Sequence, residues 1–135
     1  MALIEWSDTL SVGIQTIDEQ HKQLVAIINE LHDAMMARQS REVLGTTFDR
    51  LVAYTEYHFG EEAKLFEKHG YAETREHLAA HDALTGRVRE LNAEFKEGNA
   101  AISMELMDFL RDWLRNHIIG TDKKYAPFLK SKGVV

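Results

Sequence analysis

Cysteine is absent from the 135 residues. That excludes disulfides, thiolate metal sites, iron–sulfur clusters and cysteine nucleophiles. Proline occurs once, so little stands in the way of long helices. Basic residues are in the minority: 16 Lys and Arg face 22 Asp and Glu, a formal net charge of -6. That balance argues against nucleic acid or an anionic membrane as the main partner, because both select a basic face. No apolar run approaches the roughly 20 residues of a membrane span. The opening residues show no basic segment followed by an apolar one, so no signal peptide is expected and the cytoplasm is the default location. Histidine, by contrast, is plentiful: there are seven. The hydrophobic content of 44% is that of an ordinary soluble globular chain, and the length suits one domain covering residues 1–135.

Four long helical patterns fill the chain after an arm of about residues 1–16, which carries Trp6, Leu10, Val12 and Ile14. Thr16 followed by Glu19 reads as a capping box opening the first helix. Apolar or polar side chains then recur in steps of three and four. The first stripe is Ile17, His21, Leu24, Ile28, Leu31 and Met35, over about 17–37. The second is Leu44, Phe48, Leu51, Thr55, His58, Glu62, Leu65 and His69, over about 41–69, with Gly70 as a stop. The third is His77, His81, Leu84, Val88, Leu91 and Phe95, over about 73–97. The fourth is Ile102, Leu106, Phe109, Leu110, Trp113 and His117, over about 101–119. Gly120-Thr121 is expected to weaken or break that helix, and a short C-terminal helical segment of about 122–132 is interrupted by Pro127. The five methionines read as core filler. The fold class expected is all-α, an up-down-up-down antiparallel four-helix bundle.

Core stripes should be apolar, yet these contain His21, His58, Glu62, His77, His81 and His117. A buried bare carboxylate or unsatisfied imidazole is costly unless something compensates. His58 with Glu62, and His77 with His81, are four residues apart and project from one helix face. His21 and the His77/His81 pair lie near helix starts; His58, Glu62 and His117 lie toward helix ends. In an up-down-up-down bundle those starts and ends are at the same end. Asp122 is five residues past His117, which turns too far on a straight α-helix, so a distortion or a helix end must return it to the group. His32 and His69 fall outside the convergence and read as structural.

The donor set is too large for one four-coordinate zinc and too rich in nitrogen for Mg or Ca. Two octahedral ions offer twelve positions. Five imidazoles, two bridging carboxylates and a shared oxo or hydroxo bridge fill eleven, leaving one open for a small ligand. Imidazole and carboxylate suit iron without excluding other transition metals. Five neutral donors favour the ferrous state, which tilts the chemistry from oxygen activation toward reversible binding.

These segments together resemble the hemerythrin family in its short bacterial form. The matching motifs are Trp6-Ser7-Asp8, Asp18-Glu19-Gln20-His21, His58-Phe59-Gly60-Glu61-Glu62, His77-x-x-x-His81 and Trp113-Leu114-x-x-His117-x-x-x-x-Asp122. The resemblance implies two Fe ions with an oxo or hydroxo bridge. His77, His81 and His117 would hold one; His21 and His58 would hold the other, which keeps the open position; Glu62 and Asp122 would bridge. It also implies an apolar O2 pocket at Phe59, Trp113 and Leu114; Tyr125, three residues past Asp122, is expected beside the site. The expected function is non-enzymatic: an oxygen carrier or store, with O2 as ligand and an oxygen-consuming enzyme as recipient. An oxygen or iron sensor, or a di-iron oxidoreductase such as a peroxidase or nitric-oxide handler, is the alternative. No apolar stripe is left over after the bundle is built, so a monomer is expected.

Overall fold

A computed structural model describes residues 3–98 and 102–134. It contains five α-helices: α1 (Gln15–Met36), α2 (Arg41–His69), α3 (Thr74–Lys96), α4 (Met104–His117) and α5 (Lys123–Ser131). No strand occurs among the described residues. Short connections make sequential helices antiparallel neighbours: α2 packs against both α1 and α3, and α1 also packs against α4. The first four helices form the expected four-helix bundle.

The stripes of α1 and α2 supply most of the core. Ile17, Leu24, Ile28, Leu31, Phe48 and Leu51 are fully buried, each contributing about 1.5–3 kcal/mol relative to exposure. Phe48 and Phe95 meet at 6.4 Å near the start of α2 and the end of α3. They fill the bundle with carbon at the end remote from the histidines. Leu84 and Leu91 of α3, and Leu106 and Phe109 of α4, are only half-buried. Met107, which the fourth stripe omitted, is fully buried. The filler role holds for Met107 but not for Met36 and Met104, which are 63% and 45% exposed. Met1 lies outside the described residues, as does Ala101, where the fourth helix was expected to begin.

Helix ends follow local chemistry. Ser40 Oγ accepts from the Val43 N–H and Ser103 Oγ from the Leu106 N–H, so each serine satisfies a free donor of a first turn. Gly70, with φ 68°, closes α2, its N–H and that of Tyr71 both bonding the Phe66 carbonyl. The first helix departs from expectation. It starts at Gln15 with Ile14 at the cap position and no side-chain cap, so Thr16 and Glu19 form no capping box. Asp18 takes over: its carboxylate accepts from the Val12 N–H at 2.8 Å and the Ser11 hydroxyl at 2.6 Å. Ile14 is fully buried, and anchoring it fixes how the arm enters the helix. The arm itself holds one 3-10 turn, Asp8–Leu10, and docks by Ile4, Leu10, Val12 and Ile14. Asn29 ties it down by accepting from the Ile4 N–H and donating to the Ile4 carbonyl, both at 2.9 Å.

The chain does not break at Gly120. A single π-helical turn, Ile118–Asp122, joins α4 to α5. Pro127 lies inside α5 and does not interrupt it. The ring faces solvent, and its missing N–H costs one helical hydrogen bond.

Candidate metal centre

Each helix delivers its polar stripe residues to one end of the bundle. α1 brings His21, α2 brings His58 and Glu62, α3 brings His77 and His81, and α4 brings His117. All six are buried, and Glu62 is fully so. Asp122 is the seventh member, fully buried at the end of the π-turn. On an α-helix five steps turn about 500°, leaving Asp122 about 140° from His117. In the π-turn the Lys123 N–H bonds the Ile118 carbonyl five residues back. The wider turn brings Asp122 to the His117 face.

The seven side chains form two sets that share both carboxylates. Glu62, His77, His81, His117 and Asp122 are one; His21, His58, Glu62 and Asp122 are the other. Within each set one donor atom per residue lies within 4.8 Å of every other. Asp122 Oδ2 is 2.8 Å from His21 Nε2, and its Oδ1 is 3.0 Å from His117 Nε2 and 3.2 Å from His77 Nε2. Glu62 Oε1 is 2.5 Å from His58 Nε2 and 3.8 Å from His81 Nε2, and its Oε2 is 3.4 Å from His77 Nε2. Each carboxylate therefore spans the two sets, one oxygen toward each side in the case of Asp122.

These contacts are close but poorly directed for hydrogen bonding. The Nε2 atoms of all five histidines and the four oxygens of Glu62 and Asp122 are buried without a hydrogen-bond partner. Leaving one such atom unsatisfied costs about 1–3 kcal/mol. A cluster of them is tolerable when lone pairs point at a shared cation. The charge fits too: among the described residues, the ion contacts of Glu62 and Asp122 are with histidines only, and no Lys or Arg pairs with either. Two adjacent buried carboxylates with neutral imidazoles suit divalent metal ions.

The buried charges also shift one another. Burial and the Asp122 charge push the Glu62 carboxyl up, but the close His58 and His77 imidazoles prevail and hold it at about 2. Asp122 likewise lies well below the usual carboxylate range, burial being outweighed by His117, His21 and His77. Burial lowers His81 to about 3, with the His117 and His77 charges reinforcing it against Glu62. Burial alone would lower His77, but the adjacent Asp122 and Glu62 carboxylates outweigh it and raise it to about 9.

Gln20 was not foreseen as a member of the site. It is buried at 7% exposure beside His21, and its Oε1 accepts from His58 Nδ1 at 2.6 Å. That bond places the His58 proton on Nδ1 and leaves the Nε2 lone pair facing Glu62. The signals in the sequence were its place in the Asp18-Glu19-Gln20-His21 motif and its position next to a stripe histidine, about 100° round the helix.

The expected pocket residues all lie near the cluster. Phe59 stacks on His81, centroids 3.8 Å apart and planes at 2°, and stands 5.1 Å from His117 and 5.7 Å from His58. Leu114 is buried at 1% exposure, one turn before His117. Trp113 is also buried, and with His117 lines a groove between α3 and α4. Tyr125 is fully buried, its ring 5.3 Å from His77. Burial and the Glu62 and Asp122 charges hold its phenol well above the usual range. His32 and His69 are only partly buried and belong to neither set.

The sequence and the architecture have known counterparts. The family signature described as the hemerythrin HHE cation binding domain matches residues 12–129. A bacteriohemerythrin of Stenotrophomonas maltophilia (strain R551-3) is 40% identical over 131 residues, covering 97% of this chain and 84% of that protein. One of Methylococcus capsulatus (strain Bath) is 36% identical over 132 residues, covering 97% of this chain and all of that protein. A solved wild-type hemerythrin superposes with a TM-score of 0.88 at 36% identity, covering 95% of this chain and 98% of that one. Its relative solved as an L114A variant gives a TM-score of 0.89 at the same identity, covering 96% and 98%. The chain belongs to the hemerythrin family.

Proposed function

We propose that the chain binds O2 reversibly at a non-haem di-iron centre and serves as an oxygen carrier or store. The observation that carries this reading is the pair of donor sets joined by two shared carboxylates. His77, His81 and His117 would hold one iron, His21 and His58 the other, and Glu62 and Asp122 are the carboxylates common to both sets. When bound, the iron pair supplies the two electrons that reversible O2 binding requires.

The chain's own residues hold this centre in shape and keep it dry. Glu62 and Asp122 stay ionised and fix the spacing of the two histidine sets. Gln20 holds the His58 ring in the tautomer that offers Nε2. Phe59, Leu114 and Trp113 surround the site with carbon, and excluding water slows loss of a reduced oxygen species. These three walls offer no charged proton donor, which favours binding over turnover. An oxygen-consuming enzyme is the recipient class. No described helix is long and apolar enough to cross a membrane.

The test is metal content. Glu62→Ala and His77→Ala should each lose metal from the pair while the wild type holds two ions per chain. If both variants kept two metals and reversible oxygenation, the ligand set would be wrong.

A further inference from the structure

A centre that meets oxygen also meets peroxide, and the aromatic rings beside it lead outward. His77 contacts Phe66 at 4.8 Å and Tyr125 at 5.3 Å between centroids. Both of these rings contact Tyr71, at 5.1 Å and 6.4 Å. Tyr71 lies at the edge of the protein with 8% of its surface exposed. It lines a surface cavity with Glu73, Glu76, Lys124 and the outer side of His77. Its hydroxyl donates to Glu73 Oε2 at 3.1 Å.

That last bond is what sets Tyr71 apart. A phenol that gives up an electron must also give up its proton, and Glu73 is placed to take it. The other aromatics lack this combination. Tyr125 is fully buried, out of reach of a reductant in solution, and Trp113 has its Nε1 buried without a partner. Tyr54 and Tyr57 contact each other at 5.5 Å and make no ring contact with a histidine of the cluster.

We propose that Tyr71 is a sacrificial electron donor to the metal centre, its electron passing through the Tyr125 and Phe66 rings. The proposal rests on the di-iron reading above. The reaction concerns a half-oxidised centre, with one ferrous ion left, that encounters hydrogen peroxide. Cleaving the O–O bond to give two waters takes two electrons and two protons. The ferrous ion supplies one electron and becomes ferric. Tyr71 supplies the other and becomes a neutral phenoxyl radical. Its phenolic proton moves to the Glu73 carboxylate, and solvent supplies the two protons of the waters. Without Tyr71 the second electron is taken from the ligand histidines. With it, the oxidising equivalent leaves for a residue that a reductant in solution can reach.

The experiment treats the iron-loaded, half-oxidised protein with one equivalent of hydrogen peroxide and a nitrone spin trap. Peptide mapping by mass spectrometry locates the adduct, and freeze-quench EPR identifies the radical type. Wild type should give a tyrosyl signal and an adduct on Tyr71. Tyr71→Phe keeps the ring and should retain iron content and oxygenation while losing the adduct and gaining oxidised His77. Glu73→Gln keeps the ring path but removes the proton acceptor, and should lower the yield at Tyr71. A wild type that holds two irons and oxygenates reversibly but leaves Tyr71 unlabelled overturns the relay and leaves the functional reading standing. Labelling of Trp113 in place of Tyr71 does the same. A chain that takes up no iron overturns both.

Discussion

His117 and Asp122 are five residues apart in sequence, yet Nε2 of one lies 3.0 Å from Oδ1 of the other. The π-turn Ile118–Asp122 makes this possible. It supplies the carboxylate that touches His21, His77 and His117. A one-turn irregularity in the backbone thus joins α1, α3 and α4 at the candidate metal centre.

Glycine is not what permits that turn. A Cβ at Gly120 would meet nothing within 4 Å, and its φ is not positive. Gly120→Ala is therefore expected to keep the metal content unchanged. It should raise stability by about 0.5–1 kcal/mol, the usual gain for alanine over glycine in a helix. Thermal unfolding with metal analysis checks both; a loss of metal would mean that the turn depends on glycine.

Gln20 should matter through His58 alone. Gln20→Leu removes the acceptor of the Nδ1–H, frees the ring to turn and leaves a buried donor unsatisfied. Metal affinity should fall about 10- to 100-fold, the usual cost of losing such a partner. Gln20→Glu restores an acceptor and should recover most of it. Competition with a chelator measures the difference.

Phe59 shields the centre by stacking on His81. Phe59→Ala leaves a cavity against His58, His81 and His117 and should cost about 3–5 kcal/mol. Water entering that cavity should also speed irreversible oxidation of the oxygenated form, read as decay of its visible band. An unchanged decay rate would show that Phe59 serves packing only.

Tyr71 gives a pH signature independent of metal. Burial, then its bond to Glu73 and the Glu73 charge, raise its phenol from 10.0 to about 12. A raised value in the folded state means the stabilisation is complete below pH 10 and is lost as pH rises through 12. Glu73→Gln should move the midpoint back toward 10. The phenolate absorbance of wild type minus Tyr71→Phe follows this residue alone.

The bundle was readable because its stripes alternate cleanly, as in Ile17, Leu24, Ile28 and Leu31. Gly70 at the end of α2 was readable because it acts through neighbours a few residues away, whereas the Ser103 cap of α4 was not singled out. The Thr16–Glu19 motif misled because the competing partner, Asp18, serves the arm through Ser11 and Val12. Burial of Ile14 then decides where the helix begins. Met107 was missed because its neighbours Leu106 and Phe109 gave an equally good apolar stripe; in the packed bundle Met107 is the fully buried one. At the candidate centre, the convergence of seven side chains followed from spacing and antiparallel topology. The distortion before Asp122 was also foreseeable, since five residues do not fit an α-helical face. Gln20 was not, because an amide next to a ligand position looks like any polar surface residue until the facing helix is in place.

The most direct test is a visible spectrum with metal analysis on the purified protein, reduced without oxygen, exposed to air, then stripped of oxygen again. The expected result is two irons per chain, a colourless reduced form and a coloured oxygenated form that bleaches when oxygen is removed. Two irons that oxidise at once and recover only with added reductant would contradict the carrier reading and favour a sensor or an oxidoreductase. A chain without iron would leave the bundle intact and remove the basis for oxygen binding.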